Sequence, residues 1–313
     1  MKKIIVSIAL ILLGIAILII PNFTAYIDTG SFYFDLSTFL KDYPAFTYPV
    51  GIIALISGIF YSLFIIFDSI RNNTIFIIQK ADKEDYGDID LHFPNCVIGG
   101  KDELVYENLI TLSNHEKNVI DLEKKKIKNF YGRISLKKTI AFLAISPMPT
   151  IVYAGYCVGN VGRKVSFYHW NRDKNKAIRL KEFGGKANLQ KEDIIKTQSM
   201  EFVVCVSTSY LIEKESVKNQ FTGYNIIFLK ANNPNYNFIK TKKDLVKVAD
   251  YVRETISNLP VGSRVHLLLC CSSELCFAVG QRLNSPALPT VKVYSFDKNV
   301  KGTKTWNWGI DLD

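Results

Sequence analysis

Three short turns in this sequence carry groups suited to holding an anion: Ser146-Pro147-Met148, Ser207-Thr208-Ser209 and Ser272-Ser273. Each closes a run rich in β-branched and apolar residues, at 139–145, 201–206 and 264–270, and such runs read as buried strands. The first and third turns lead into apolar helical segments that each contain one glycine, Gly155 or Gly280. A hydroxyl turn between a strand and a helix start is where open α/β sheets hold phosphate. The first backbone N–H groups of the helix lack partners there, and the helix dipole favours negative charge. The segment Tyr168-His169-Trp170-Asn171-Arg172 ends another strand. It offers Trp170 for stacking on a base and Arg172 for a phosphate. The competing reading is that the hydroxyls only cap helices, each contributing about 1 kcal/mol of stability and nothing to ligand response.

Other chemistry lacks its residues. No Walker loop, G-x-S-x-G elbow, H-E-x-x-H or kinase set occurs, and no G-x-G-x-x-G follows a strand. The histidines His92, His115, His169 and His266 are scattered without metal-ligand spacing. His266 falls inside a strand and reads as a satisfied core residue, and His169 reads first as a surface-loop residue and second as a ligand contact. The cysteines Cys96, Cys157, Cys205, Cys270, Cys271 and Cys276 form no C-x-x-C pair and sit mostly in apolar runs. They read as small buried hydrophobes in a reducing compartment. The expectation is a protein with no catalytic residue, no metal site and no cofactor.

The elements that must position the turns occur twice. Shifting the segment around 139–168 by 125 residues returns the same order of strand, polar turn, helix with one glycine, and strand. Preceding helices are expected at 114–131, where Val119, Leu122, Ile127 and Phe130 share a side, and at 241–259, where Leu245, Val248, Ala249, Val252 and Ile256 form one face. Strands are expected at 74–79 and 224–229, and the polar stretch 174–192, with Gly184-Gly185, reads as a linker between halves. Alternating strands and helices predict an α/β protein of two Rossmann-like halves with parallel sheets, about 74–192 and 193–313. Two copies of one phosphate-binding geometry predict a single composite pocket.

Residues 1–73 are different. They hold four basic side chains, Lys2, Lys3, Lys41 and Arg71, against four acidic ones, so the net charge of +10 belongs to 74–313. That charge suits a nucleotide or the anionic inner face of a membrane, and fits a basic solvated surface equally well. Apolar runs at 4–20 and 50–67 are long enough to cross a bilayer and predict a transmembrane hairpin. No small-residue cleavage site follows the first run, which argues against a removed signal peptide. Lysines before the first run and Arg71 after the second place both termini in the cytosol, with an aromatic-rich loop at 21–49 outside. Gly51, Ala54, Gly58 and Ser62 form a small-residue stripe on the second run, suited to close helix packing.

Two Rossmann-like halves in one chain resemble CARF-type sensors, and their fusion resembles the SAVED domain. The resemblance is carried by VHLLLCCSSELCFAVGQRLNSPALPTVKVYSF with TWNWGIDL in the second half and ISPMPTIVYAGYCVGN in the first. It covers roughly 100–313, and the first half lacks a counterpart of Trp306 and Trp308 in its Ala177-Ile178-Arg179-Leu180 region. With a membrane hairpin in front, the chain is similar to the transmembrane–SAVED effectors of bacterial CBASS defence. The resemblance implies a pseudo-two-fold receptor for a cyclic oligonucleotide, a cyclic trinucleotide first, made by a partner nucleotidyltransferase. It also implies ligand-induced homo-oligomers, disruption of the bacterial inner membrane and death of the infected cell, with no DNA or RNA duplex as partner. The runner-up is a membrane-anchored CARF-like phosphodiesterase that cleaves the same ligand, with Ser207, Ser209 and nearby lysines positioned for metal-free cleavage.

Overall fold

The computed structural model describes residues 11, 15, 26–28, 33–35, 44–72, 74–81, 104–109, 117–134, 139–159, 164–171, 176–194, 198–296 and 306–313. The chain divides into two units, Met1–Asn72 and Asn73–Asp313.

In the first unit, strands β1 (Tyr26–Asp28) and β2 (Tyr33–Asp35) pair antiparallel, within the stretch expected to be loop. Helix α1 (Pro44–Asn72) contains the second expected span and runs through Pro49 in its second turn, where proline removes one i→i−4 hydrogen bond. Its large side chains Ile52, Ile53, Ile56, Phe60, Phe64 and Ile66 are exposed. Gly51 and Gly58 are buried, and Ala54 and Ser62 are half-buried. Ser62 Oγ donates to Gly58 O at 2.9 Å. Side chains of α1 are described at Pro49 and over 51–66. Among the described residues, no helix is long and apolar enough to cross a membrane. The first expected span lies outside the described residues apart from Ile11 and Ile15, both helical.

The second unit holds two mixed sheets. The first contains β3 (Thr74–Ala81), β4 (Leu104–Leu109), β5 (Thr139–Ile145), β6 (Val165–Asn171) and β7 (Lys176–Arg179), in the order β4-β3-β5-β6-β7. The second contains β8 (Leu189–Ile194), β9 (Glu201–Ser207), β10 (Asn225–Ala231), β11 (Arg264–Cys270), β12 (Thr290–Phe296) and β13 (Trp306–Leu312), in the order β13-β12-β11-β9-β10-β8. Helices α2 (Lys117–Arg133), α3 (Met148–Val158), α4 (Lys214–Gln220), α5 (Lys242–Ser257) and α6 (Ser273–Leu283) complete the unit.

Each sheet is parallel at its centre, but β7, β8 and β13 are antiparallel edge strands. Purely parallel sheets are therefore corrected to mixed ones. The stretch 174–192 is corrected with them, because it supplies β7 to one sheet and most of β8 to the other. The cause is hairpin-scale connectivity: β7 follows β6 too closely for a crossover, so only antiparallel pairing is open to it.

The repeat is regular. Helix α2 and strand β5, helix α3 and strand β6 begin at 117, 139, 148 and 165, and α5, β11, α6 and β12 each begin 125 residues later. Helices α3 and α6 cross through their glycines. A Cβ on Gly155 would lie 2.0 Å from Phe277 O, and one on Gly280 would lie 1.9 Å from Val152 O. These are reciprocal contacts, since 152 and 277 are also 125 apart. Two cross-links follow the same rule: Gln281 Nε2 donates to Gly159 O and Asn284 Nδ2 to Tyr156 O. A pseudo-two-fold axis thus passes between the helices. Phe277 reaches into the other half, its ring centroid 4.0 Å from Phe142 and 5.9 Å from Phe167. The halves share one core, built from Ile77, Ile127, Phe142 and Val152 on one side and Val204, Val248, Leu267 and Val279 on the other.

Candidate functional site

All three hydroxyl turns follow the carboxyl ends of central parallel strands, β5, β9 and β11. The second and third are tied together, because Thr208 N and Ser209 N both donate to Cys270 O, at 3.1 and 2.9 Å. Ser146-Pro147-Met148 stands at the head of α3, the symmetry counterpart of Cys271-Ser272-Ser273 at the head of α6. The structure thus brings two turns into contact and places the third at the matching position across the axis.

Neither helix uses its turn as a side-chain cap. The N-cap of α3 is Pro147 and that of α6 is Ser272, and neither makes a side-chain capping hydrogen bond. Ser146 Oγ lies 3.3 Å from Thr150 Oγ1, which donates to Pro147 O at 2.7 Å. Ser207 Oγ accepts from Ile212 N at 3.1 Å and holds the loop after β9. Thr208 Oγ1 and Ser272 Oγ are buried without a hydrogen-bond partner. Such groups are rare in folded proteins, because each loses its hydration for nothing in return.

Glu274, in the first turn of α6, is 2% exposed. Burial pushes its carboxyl up to about 7, against the downward pull of its own backbone N–H and of the nearby Ser272 and Ser273 hydroxyls. Ser273 Oγ donates to Glu274 Oε2 at a long 3.3 Å. Ser272 lies near the carboxyl but makes no hydrogen bond to it by geometry; its influence on Glu274 is therefore weak. Cys271 beside it is buried, and desolvation pushes its thiol up to about 12 against a smaller downward pull from the nearby Thr208 hydroxyl, which makes no hydrogen bond to it by geometry. Cys205, Cys271 and Cys276 are buried and free, as small hydrophobes are expected to be. Cys157 and Cys270 are half-buried, and Cys96 lies outside the described residues.

Trp170 lies near the carboxyl end of β6, half-buried, opposite Ala177 of β7. Arg172 lies outside the described residues. His266 is a satisfied core residue, with Nε2 2.6 Å from Glu201 Oε2 and Nδ1 2.9 Å from Tyr294 Oη. His169 is half-buried, and desolvation lowers its pKa. Among the described residues no cluster of His, Cys, Asp or Glu is arranged to hold a metal ion.

Two features escape a reading of the sequence. Tyr210 and Tyr236 are exposed and meet edge to face with centroids 4.8 Å apart. Asn235 N donates to Thr208 O at 2.9 Å and anchors Tyr236's loop to the second turn. Aromatic residues in the polar strings Ser209-Tyr210-Leu211 and Asn235-Tyr236-Asn237 were the available signal. The other is Gln79 on β3, a buried amide with neither Nε2 nor Oε1 hydrogen-bonded. A cavity of about 540 Å³ opens at the opposite, amino ends of β9 and β10, among Phe202, Asn225, Tyr251 and Pro260, and no hydroxyl turn lines it.

A family model described as the SMODS-associated and fused to various effectors sensor domain, SAVED, matches residues 123–312. No curated protein matches the chain. Among solved structures, the Acinetobacter baumannii Cap4 SAVED/CARF-domain containing receptor with the cyclic trinucleotide 2'3'3'-cAAA is similar with a TM-score of 0.54 at 13% identity, over 89% of this chain and 62% of that one. The same receptor with 3'3'3'-cAAA gives 0.52 at 15% identity, again over 89% and 62%. At these identities the likeness is one of fold, and the chain spans about 62% of the receptors' length.

Proposed function

This chain belongs to the SAVED family of sensor domains, and from that premise we propose that it is a receptor for a cyclic oligonucleotide, a cyclic trinucleotide first, whose membrane segment delivers the output. The observation that carries the reading is the convergence of unpartnered, buried hydroxyls, Thr208 Oγ1 and Ser272 Oγ, on strand ends beside an uncapped helix start. A phosphate oxygen placed there satisfies those hydroxyls and the free N–H groups together. The pseudo-two-fold relation of α3 and α6 repeats that geometry, which suits a ring with several phosphates. The net charge of +10 favours such an anion. Ser146, Pro147, Met148, Ser207, Thr208, Ser209, Ser272 and Ser273 form the binding surface, with Trp170 stacking on a base and Arg172 meeting a phosphate. The structures of Cap4 with 2'3'3'-cAAA and 3'3'3'-cAAA support the ligand class. The role is that of a sensor and not a catalyst.

The output reading rests on α1, whose large apolar side chains are exposed around much of its surface. Such a helix suits lipid. In this reading 4–20 and 50–67 form a hairpin in the bacterial inner membrane with both termini cytosolic. A partner nucleotidyltransferase makes the ligand, binding gathers copies of the chain, and the stripe Gly51, Ala54, Gly58 and Ser62 lets gathered helices approach closely. Membrane disruption then kills the phage-infected cell.

Calorimetric titration of the purified chain with cyclic di-, tri- and tetranucleotides tests the receptor reading. A saturable response to a cyclic trinucleotide is expected, and silence across the panel rejects it. Dye entry into cells tests the output: leakage requires the nucleotide and falls in Gly58→Leu. Undiminished leakage in Gly58→Leu removes the stripe from the mechanism.

A further inference from the structure

Because the second half copies the first, positions where the copies differ in chemistry mark what one half does alone. Val206 near the end of β9 and Val248 in α5 both belong to the shared core. Their first-half counterparts are Gln79 and Glu123. Register makes the first match: Gln79 pairs with Ala144 on β5 and Val206 with Leu269 on β11, and those partners are 125 residues apart. Glu123 and Val248 are 125 apart as well, in helices that begin 125 apart. An amide and a carboxylate therefore stand where the other half has two valines.

Both are deeply buried, Gln79 at 2% exposure and Glu123 at 0%. Gln79 has no hydrogen bond at either end of its amide. Glu123 accepts from Lys126 Nζ at 3.1 Å through Oε1, and its Oε2 has no partner. Topology puts the two on the same side of the core. Ile77, two residues before Gln79, and Ile127, one turn after Glu123, both belong to the core cluster. Strand alternation gives 77 and 79 one face, and the helical repeat gives 123 and 127 one face. Helix α2 links the parallel strands β4 and β5 and so returns across β3, which lies between them. Its amino-terminal part, with Glu123, accordingly lies toward the carboxyl end of the sheet, the end that Gln79 approaches. Valine at both positions of the other half shows that the fold does not need polar groups there.

We propose that Gln79 and Glu123 form a base-reading subsite of the receptor, selective for a nucleobase that carries an exocyclic amino group beside a ring nitrogen, as adenine does. The Gln79 amide offers a donor and an acceptor side by side, the pairing by which glutamine reads adenine, and a carboxylate oxygen accepts from a base amino group. Hypoxanthine, which carries a carbonyl in place of the 6-amino group, sets an oxygen against Glu123 Oε2. The halves then divide the work: the second supplies hydroxyls for phosphate through Thr208 and Ser272, and the first reads one base. This inference rests on the receptor reading.

The test uses the full chain with two probes, 3'3'3'-cAAA and the same ring with hypoxanthine in place of adenine, on wild type, Gln79→Val and Gln79→Met. Wild type is expected to prefer the adenine ring by about ten- to hundred-fold, the value of a good paired base contact. In both variants that preference collapses toward unity through weaker binding of the adenine ring. The melting temperature of the unliganded variants holds or rises, because an unpaired buried amide is gone. Wild-type preference retained in a folded variant overturns the subsite, as does a fall in melting temperature with preference retained, the mark of a purely structural amide. If wild type binds neither ring but saturates with another cyclic nucleotide, the adenine subsite fails and the receptor reading stands; if it binds no cyclic nucleotide, both fail.

Discussion

Replacing Glu274 with glutamine should stabilise the chain at alkaline pH and leave it nearly unchanged in acid. The Glu274 carboxyl has its pKa pushed up by burial from 4.5 to about 7. The folded chain therefore holds a proton over a range in which the unfolded chain has released it. Stability from this group is complete below about 4.5 and falls as pH rises through about 7, then levels off, because unfolding releases the proton. At ~1.4 kcal/mol per pH unit, the gap between the two values corresponds to about 3 kcal/mol. Among the described residues no cation offsets the charge; hydroxyls and a backbone N–H lean toward it. Glutamine keeps the shape and cannot ionise. Urea unfolding followed by tryptophan fluorescence, from pH 4 to pH 8.5, reads the difference between the two proteins, and every other titrating group cancels. The expected difference is near zero at pH 4 and approaches about 3 kcal/mol in favour of Glu274→Gln above pH 8. A difference that stays constant with pH would refute the reasoning, since a packing change has no proton dependence.

Other consequences can be measured on the same protein. A cyclic trinucleotide held at the Ser272-Ser273 turn brings negative charge next to Glu274, so binding takes up a proton and tightens as pH falls from about 8 to 6; calorimetry in buffers of different ionisation enthalpy shows it, and Glu274→Gln abolishes it. Gly280→Ala places a methyl group 1.9 Å from Val152 O. It should lower stability by roughly 3 kcal/mol or more, and adding Gly155→Ala should do less than double the loss, because both act at one crossing. Thr208→Val and Ser272→Ala remove hydroxyls that lie near Cys271 and Glu274 but make no hydrogen bond of good geometry, so thermal melting stays nearly level while trinucleotide affinity falls; equal affinity takes them out of the site. Trp170→Ala should weaken binding about ten- to hundred-fold if the ring stacks on a base, and calorimetry showing unchanged affinity in a folded variant excludes it.

The elements legible in the sequence were those buried on both faces. Strands β5, β9 and β11 read as apolar runs because helices cover one side of each sheet and further residues the other. Helix α5 was legible because Leu245, Val248, Val252 and Ile256 recur at helical spacing beside solvent-facing lysines. The edge strands were not. In β8, Leu189 is buried while Gln190, Lys191 and Asp193 are exposed, so a strand that closes a sheet looks like polar linker. At the site, the hydroxyl turns were visible because a strand must end somewhere and serines ended these. Gln79 was invisible for the opposite reason: it finishes an apolar strand and resembles an ordinary exit residue. Glu123 sits in the string Asp121-Leu122-Glu123-Lys124-Lys125-Lys126 and resembles a solvated helix face. Only the fold shows that both are buried, and only the second copy shows that valine serves there equally well.

The glycine crossing of α3 and α6 bears on how such a receptor can change. When two identical subunits pair, every substitution arrives in duplicate, and a polar residue beneath one binding surface appears beneath both. Here one chain supplies both partners, and the tether of 125 residues keeps them at high mutual concentration whatever their affinity. The crossing must stay reciprocal, since a side chain at either glycine meets backbone of the other helix. Everything away from that contact is free to drift on one side alone. A joint that tolerates no variation thereby permits two unlike binding surfaces to face one ligand, and a ring of unequal bases or linkages becomes readable in one orientation.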